Sequence, residues 1–323
     1  MRMTTDRRAP RLRIVFAGTP SVAVPSLHAL HAAGHDIAAV VTRPDAPLGR
    51  KRVLTPSPVA AAAEELGLPV IKAARLDAEA TERIAALDPE LAVVVAYGGL
   101  VREPLLSLPP HGWINLHFSL LPRWRGAAPV QRALMAGDRV TGAAVFRLVP
   151  ELDAGDVFDE LRYDVPADAT AGDVLEALAD LGGGLLADVV DGIAAGTAVA
   201  VPQKGEATHA AKLSIDDGLL DWREPADRVL DRFRGVTPEP GAHTLLDGAR
   251  FKILAARPAD ADADEPLPPG RARAVKRGVL VGTGTEPILV ERVQPAGKAA
   301  MDAAAWARGA RADVVFETPE ANR

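Results

Sequence analysis

The chain has 323 residues, about twice the common domain size, so two domains, each able to bury its own core, are expected. Hydrophobic residues at 48% and charged residues at 25% exclude a disordered or fibrous chain, and the absence of cysteine excludes disulfides, thiolate metal sites and a cysteine nucleophile. No apolar run approaches the roughly 20 residues needed to span a bilayer, and the formal net charge of -6 taken alone argues against a polyanionic partner.

Residues 1–10 carry Arg2, Arg7 and Arg8 but no apolar core, and read as a frayed terminus rather than a secretory signal. Short, branched, non-alternating runs at 12–16, 37–41, 91–95 and 113–116 predict buried strands. Helices are expected from Thr19-Pro20 to about Ala33, stopping at Gly34, and over 59–66 and 78–87. This alternation predicts an α/β fold, a doubly wound, mostly parallel, Rossmann-like sheet with right-handed crossovers, whose ligands bind beyond the carboxyl ends of the strands.

Residues 43–58 form a long proline-punctuated loop that carries Arg43, Arg50, Lys51 and Arg52, and a loop of this length inside a domain points to function. Further strands are expected at 142–149 and 157–165, then a long helix at 171–190 and an irregular linker at 194–212. Beyond it, alternating runs at 243–246, 250–255, 273–276 and 288–294, broken by glycine and proline, predict a small β-barrel of OB-like kind, closed by a helix at 301–308. Residues 259–266 read as an acidic exposed loop. The expected division is a first domain at 1–193, the linker at 194–212 and a β-rich domain at 213–323.

The densest chemistry lies at 113–126. Asn115 and His117 are two apart at the end of a predicted strand, so their side chains leave the same face and can converge on one atom. An amide donor beside an imidazole suits stabilisation of a growing oxyanion plus proton transfer. Spacing alone leaves open that Asn115 merely closes the strand and that His117 is a satisfied buried histidine. Ser119-Leu120-Leu121-Pro122 either walls a pocket for a flat, partly apolar ligand or plugs the core, and Ser119 lacks the glycine context of a nucleophile. Between Glu151 and Asp191 lie twelve carboxylates against one arginine, mostly a solvated acidic surface, and one of them could hold His117 protonated. His28, His31 and His35 recur at helical spacing, but with His35 past the helix end and no carboxylate interleaved, no metal site is expected.

Several segments together resemble the folate-dependent formyltransferases. They are Phe16-Ala17-Gly18-Thr19-Pro20, Thr42-Arg43-Pro44-Asp45, Pro56-Ser57-Pro58-Val59, Val94-Val95-Ala96-Tyr97-Gly98, the run from Asn115 to Pro129, Leu152-Asp153-Ala154-Gly155-Asp156 and Gln294-Pro295-Ala296-Gly297-Lys298. The resemblance spans nearly the whole chain. It implies Asn115, His117 and Asp153 as the catalytic trio, which selects Asp153 among the crowded acids. It implies folate contacts at Ser119, Leu120, Leu121 and Pro122, with Tyr97 and Gly98. The activity it implies is transfer of the formyl group of 10-formyltetrahydrofolate to the α-amine of methionine on initiator tRNA, without a metal or a covalent intermediate. Asn115 and a protonated His117 would donate to the formyl oxygen, and Asp153 would keep His117 charged.

Arg43, Arg50, Lys51, Arg52, Arg123, Arg125 and Lys298 are then the cations expected to meet tRNA phosphates. Residues 1–58 hold nine cations and three acids, so the distribution of charge outweighs its negative sum. A monomer in the bacterial cytoplasm, away from membranes, is expected. Two departures stand out: Phe118 where the family commonly has a small residue, and Lys298-Ala299 where a lysine pair is common; neither touches the trio, so activity is expected to survive them. A sugar-nucleotide or other small-amine formyltransferase is the nearest rival. A nicotinamide-dependent oxidoreductase is disfavoured, since Ala17-Gly18-Thr19-Pro20-Ser21-Val22 offers one glycine where a dinucleotide fingerprint needs three. A non-catalytic RNA-binding protein would show no dependence on folate.

Overall fold

Apolar β-branched runs flanked by alanine-rich helices build the first part of the chain, and the computed structural model describes residues 10–49, 52–260, 267–310 and 314–318. Arg50, Lys51, nearly all of the expected frayed terminus and most of the expected acidic loop lie outside the described residues. In chain order the elements of the first part are β1 (Arg13–Gly18), α1 (Val24–Ala32), β2 (Asp36–Thr42), β3 (Ala46–Leu48), β4 (Val53–Thr55), α2 (Pro58–Glu65), β5 (Val70–Lys72), α3 (Ala78–Ala85), β6 (Leu91–Val95), β7 (Trp113–His117), β8 (Arg125–Gly126), α4 (Pro129–Met135), β9 (Val140–Arg147), β10 (Val157–Asp164), α5 (Ala171–Ala194) and β11 (His209–Ala210). The helix expected from Thr19 starts later, after a 3-10 turn at Ser21–Ala23. Pro25 then falls in the first turn of α1, where its missing N–H breaks no helical bond. Ser57 and Asp77 cap α2 and α3 through side-chain oxygens that accept from Ala60 N at 3.0 Å and Ala80 N at 3.1 Å. The long loop contains an antiparallel hairpin, β3 with β4, and its tip exposes Leu48, Val53 and Leu54.

The main sheet has seven strands in the order β10-β9-β7-β6-β1-β2-β5. Pairings β1 with β2 and β6, β6 with β7, and β2 with β5 are parallel, while β9 runs antiparallel to β7. The central strands are buried on both faces, which is why their sequences show no alternation. On one side Trp113, Tyr97, Ile84, Leu105 and their neighbours form a core in which the Trp113 indole N–H donates to Leu105 O at 2.8 Å. Each such large side chain removed from water contributes about 1.5–3 kcal/mol.

The chain forms two compact units, and each stands on its own description. The first comprises the chain up to Pro129, Thr141–Tyr163 and Leu175–Ala210; the second comprises Val130–Val140, Asp164–Val174 and the chain from Ala211 onward. In the second unit follow α6 (Ala226–Gly235), β12 (His243–Leu246), β13 (Ala249–Pro258), β14 (Ala272–Val275), β15 (Gly278–Val281), β16 (Ile288–Gln294), β17 (Met301–Asp302) and α7 (Ala303–Arg308). Sheet order β12-β13-β16-β15-β14 is antiparallel throughout. Single bridges from the terminal segment, Glu317 to Leu245 and Val315 to Arg271, tie its two edges together and give the curled, barrel-like form. Phe316 is the anchor of that closure, stacked against Trp222 and Trp306 at 5.9 Å each and tilted against Phe251 at 5.1 Å.

Candidate active site

Strand β7 carries the two central groups. Its register puts Asn115 between Val94 of β6 and Phe146 of β9, and pairs His117 with Ala144. Trp113, Asn115 and His117 share one face by strand alternation; Trp113 is sunk in the core and the other two emerge toward the carboxyl end. There a cleft of about 480 Å³ opens, lined by Val94 of β6 and residues 96–101 after it, Asn115 and His117 of β7 with Phe118 just beyond, Gly126 and Ala127, and residues 148–153. That size lies within the range of small-molecule sites. Leu100, Val101, Leu148 and Leu152 are among its apolar lining residues.

His117 is buried and meets the edge of Phe146 at 6.2 Å and 89°. Its Nε2 lies 2.9 Å from Trp124 O, an acceptor, so Nε2 carries the ring proton; its Nδ1 faces Asp153 Oδ2 at 3.9 Å, beyond a direct hydrogen bond. Burial pushes the His117 pKa below its ordinary 6.5, and the Asp153 charge and the Trp124 carbonyl pull the other way without overcoming it. The resting imidazole is therefore neutral, with a lone pair on Nδ1. The lowered pKa runs against the expected resident imidazolium, and Asp153 Oδ2 accepts from Gly126 N at 2.7 Å. Among the described residues no protein group bonds the Asn115 side chain, which leaves its amide for a ligand in the cleft.

Three non-glycine residues with positive φ bracket the site: Ala96 at 48°, Trp124 at 62° and Asp153 at 47°. Such backbone costs on the order of 1–3 kcal/mol apiece and concentrates where geometry is functional. Two glycines make the close approach possible. Gly126, at φ 125°, would bring a Cβ within 2.7 Å of Ala210 O, and a Cβ on Gly155 would overlap Arg147 O.

The remaining expected site residues scatter. Tyr97 and Gly98 both line the cleft, and the Tyr97 hydroxyl reaches into the core to donate to Ala73 O at 2.9 Å. Ser119, Leu120, Leu121 and Pro122 stand behind the wall: Ser119 Oγ donates to Arg123 O at 2.6 Å, Leu120 covers Gly142, and Leu121 packs with Ala144, Phe146 and Val157. Phe118, just before that stretch, is in the cleft lining. Arg43 donates to Ala74 O and Gly98 O at 2.6 Å each, so its fork ties the turn after β6 to the chain beyond β5. Arg125 is bound to Gln203, Arg123 lies over the Trp124 ring at 5.5 Å, Arg52 is exposed at the hairpin, and Lys298 is exposed in a turn of the second unit. Among the described residues no group of three or more His, Asp or Glu is placed to hold a metal ion, and none of the helices is long and apolar enough to cross a membrane.

Three groups at the site were not singled out from sequence: Trp124 O, Gly126 N and Gln203. The first two are main-chain atoms with no compositional signal, and Gln203 sits in the stretch whose pattern is irregular.

Residues 12–190 match the family model described as "Formyl transferase", and residues 212–311 match "Formyl transferase, C-terminal domain". A methionyl-tRNA formyltransferase of Leifsonia xyli is 65% identical over 305 residues, covering 94% of this chain and 100% of that protein; another, of an Arthrobacter species, is 58% identical over 95% of this chain and 100% of its own length. Among solved structures, a methionyl-tRNA formyltransferase from Clostridium thermocellum superposes with TM-score 0.55 at 14% identity over 78% of this chain and 95% of that chain. HypX from Aquifex aeolicus in complex with tetrahydrofolic acid gives TM-score 0.62 at 17% identity over 92% of this chain, which spans about half of HypX, 47% of its length. At these identities the structural likeness speaks for the fold.

Proposed function

The chain belongs to the formyl transferase family, and from that premise we propose that it moves the formyl group of 10-formyltetrahydrofolate onto the free α-amino group of methionyl-initiator tRNA. The observation that carries the reading is the 65% identity, over 94% of this chain, to a methionyl-tRNA formyltransferase. The cleft supports it, because an amide, an imidazole and a carboxylate meet at its floor beside apolar walls suited to a pterin.

In this reaction the amine nitrogen bonds the formyl carbon, the bond from that carbon to the folate nitrogen breaks, and the amine's proton ends on the departing nitrogen. Negative charge grows on the formyl oxygen, and the Asn115 amide is the donor for it; losing such a donor typically costs about 2.7–4 kcal/mol of barrier. Neutral His117 takes the amine's proton at Nδ1 while Trp124 O holds the proton on Nε2. Asp153, 3.9 Å away, then faces the imidazolium that forms and stabilises it until the proton passes on. Folate contacts fall on Tyr97, Gly98 and their neighbours in the cleft, with Ser119, Leu120, Leu121 and Pro122 supporting the loop that follows β7.

We assign the chemistry to residues 1–193 and tRNA contacts to the hairpin of the long loop and to residues 213–323, joined through 194–212. Arg52, Arg123 and Lys298, with Arg50 and Lys51, are the phosphate contacts in this scheme; Arg43 and Arg125 act by holding loops. The reading carries with it a monomer working in the bacterial cytoplasm. The test is incubation with 10-formyltetrahydrofolate and charged initiator tRNA, followed by mass spectrometry of the released amino acid. Formylmethionine is expected; free methionine alone, or formylation of an amino sugar nucleotide instead, would overturn the reading.

A further inference from the structure

Gln203 lies in the irregular stretch between α5 and β11, yet its amide is used in full. Nε2 donates to Asp153 O and to Gly155 O, both at 2.8 Å, and Oε1 accepts from Arg125 Nε at 3.2 Å and Arg125 Nη2 at 2.6 Å. A primary amide has two donor hydrogens and two acceptor lone pairs, and here all four are committed. Its partners are the two turns that carry the site. One is the 153–155 turn, with Asp153 in left-handed backbone; the other is the 124–126 turn, whose Trp124 O fixes the His117 tautomer and whose Gly126 N holds the Asp153 carboxylate.

The segment bearing Gln203 is itself pinned on both sides. Val201 exchanges two main-chain bonds of 2.9 Å with Val157 at the start of β10, and downstream β11 pairs with β8 while Thr208 Oγ1 accepts from Trp124 N at 2.9 Å. The amide is thus a cross-brace on a fixed post. No other residue type can replace it: glutamate offers no donor to the two carbonyls, asparagine is one methylene short, and alanine strands Asp153 O, Gly155 O and the Arg125 fork.

We propose that Gln203 is a positioning residue for the transfer reaction, setting the spacing of Asp153 from His117 by bracing the 153–155 turn against the 124–126 turn. This rests on the function proposed above. Asp153 is a counter-charge for a proton-bearing His117, and such a contribution weakens with distance and with the water a loosened turn admits. Loosening the brace therefore weakens turnover and moves the His117 titration, while substrate affinity, set by the cleft walls, stays put.

The experiment is a double-mutant cycle of Gln203→Ala with Asp153→Asn, read by kcat and KM for methionyl-tRNA, alongside NMR titration of the His117 ring. Gln203→Ala should lower kcat about 10-fold, the scale of one hydrogen bond's contribution, at unchanged KM. In the Asp153→Asn background it should change kcat by less than about 2-fold, because its route is already cut. The His117 pKa should fall in Gln203→Ala. Equal losses in both backgrounds, or a single-mutant kcat within 2-fold of wild type, would overturn the proposal. If Gln203→Ala does not fold, Gln203→Glu, which keeps size and the Arg125 partner but loses both donors, carries the same kcat and KM expectations in both backgrounds. Failure of the wild-type chain to formylate methionyl-tRNA would strike the function instead, and the His117 titration would still decide the brace.

Discussion

Two buried histidines in the first unit share nearly every feature except one. His35 and His117 are each sealed from solvent, each has a carboxylate nearby, and in each burial is the largest influence and lowers the pKa. His35 Nδ1 accepts from Leu12 N at 3.3 Å and its Nε2 stands 3.2 Å from Asp191 Oδ1 in an ion-pair contact without hydrogen-bond geometry, so the ring faces protein atoms rather than a cleft. His117 uses only Nε2 in that way, and its Nδ1 looks past a 3.9 Å gap toward Asp153 at the floor of a cleft. Burial and a neighbouring acid therefore do not mark a catalytic histidine; an uncommitted nitrogen facing an open volume does.

Substituting each histidine in turn breaks the comparison most sharply. His117→Ala is expected to lower turnover by roughly 10²–10⁴-fold, the usual range for a general base, with little change in unfolding. His35→Ala should leave turnover nearly intact but lower stability by about 1–3 kcal/mol, since it strands the buried Leu12 N–H; denaturant unfolding and a formylation assay on both variants check this.

A smaller effect sharpens the reading of His117. Because its pKa lies below 6.5 and the neutral ring is the working form, turnover should fall only on the acid side as His117 gains a proton. The Asp153 charge raises that pKa, so in Asp153→Asn the acid limb of the remaining activity should move to lower pH while the maximum falls. A limb that stays in place would belong to the substrate's amine.

The smallest effect concerns His35. Its folded pKa is below the unfolded value, so the stability it contributes is complete above about pH 6.5 and is lost as pH falls toward the folded pKa, where the unfolded chain binds the extra proton. His35→Gln should flatten this part of the stability profile. Thermal unfolding between pH 5 and 8 reads it, and an unchanged slope would show that His35 does not titrate there.

Much of this was legible in the residues. Leu91–Val95 reads as a buried strand because five apolar residues without alternation admit little else, and it forms β6. Asn115 and His117 were placed together by strand period alone, and the cleft lies where a parallel sheet of this kind puts ligands. What failed to show had little side-chain signal. The three-residue β5 is too short for a period, and α6 follows Pro225 without a capping side chain, although Val229 and Phe233 repeat at helical spacing. The distance from His117 to Asp153 and the depth of burial that lowers its pKa are tertiary facts with no signal in the sequence. Likewise, the Ser119 bond to Arg123 O and the packing of Leu121 against Phe146 are not carried by a motif.

The account turns on a neutral His117 whose open nitrogen awaits the amine's proton, and NMR titration of that imidazole in the free enzyme tests it most directly. A ring protonated on Nε2 alone at neutral pH, with a single transition below 6.5, is expected. An imidazolium that persists above that value would contradict it and return His117 to the role of a charged donor.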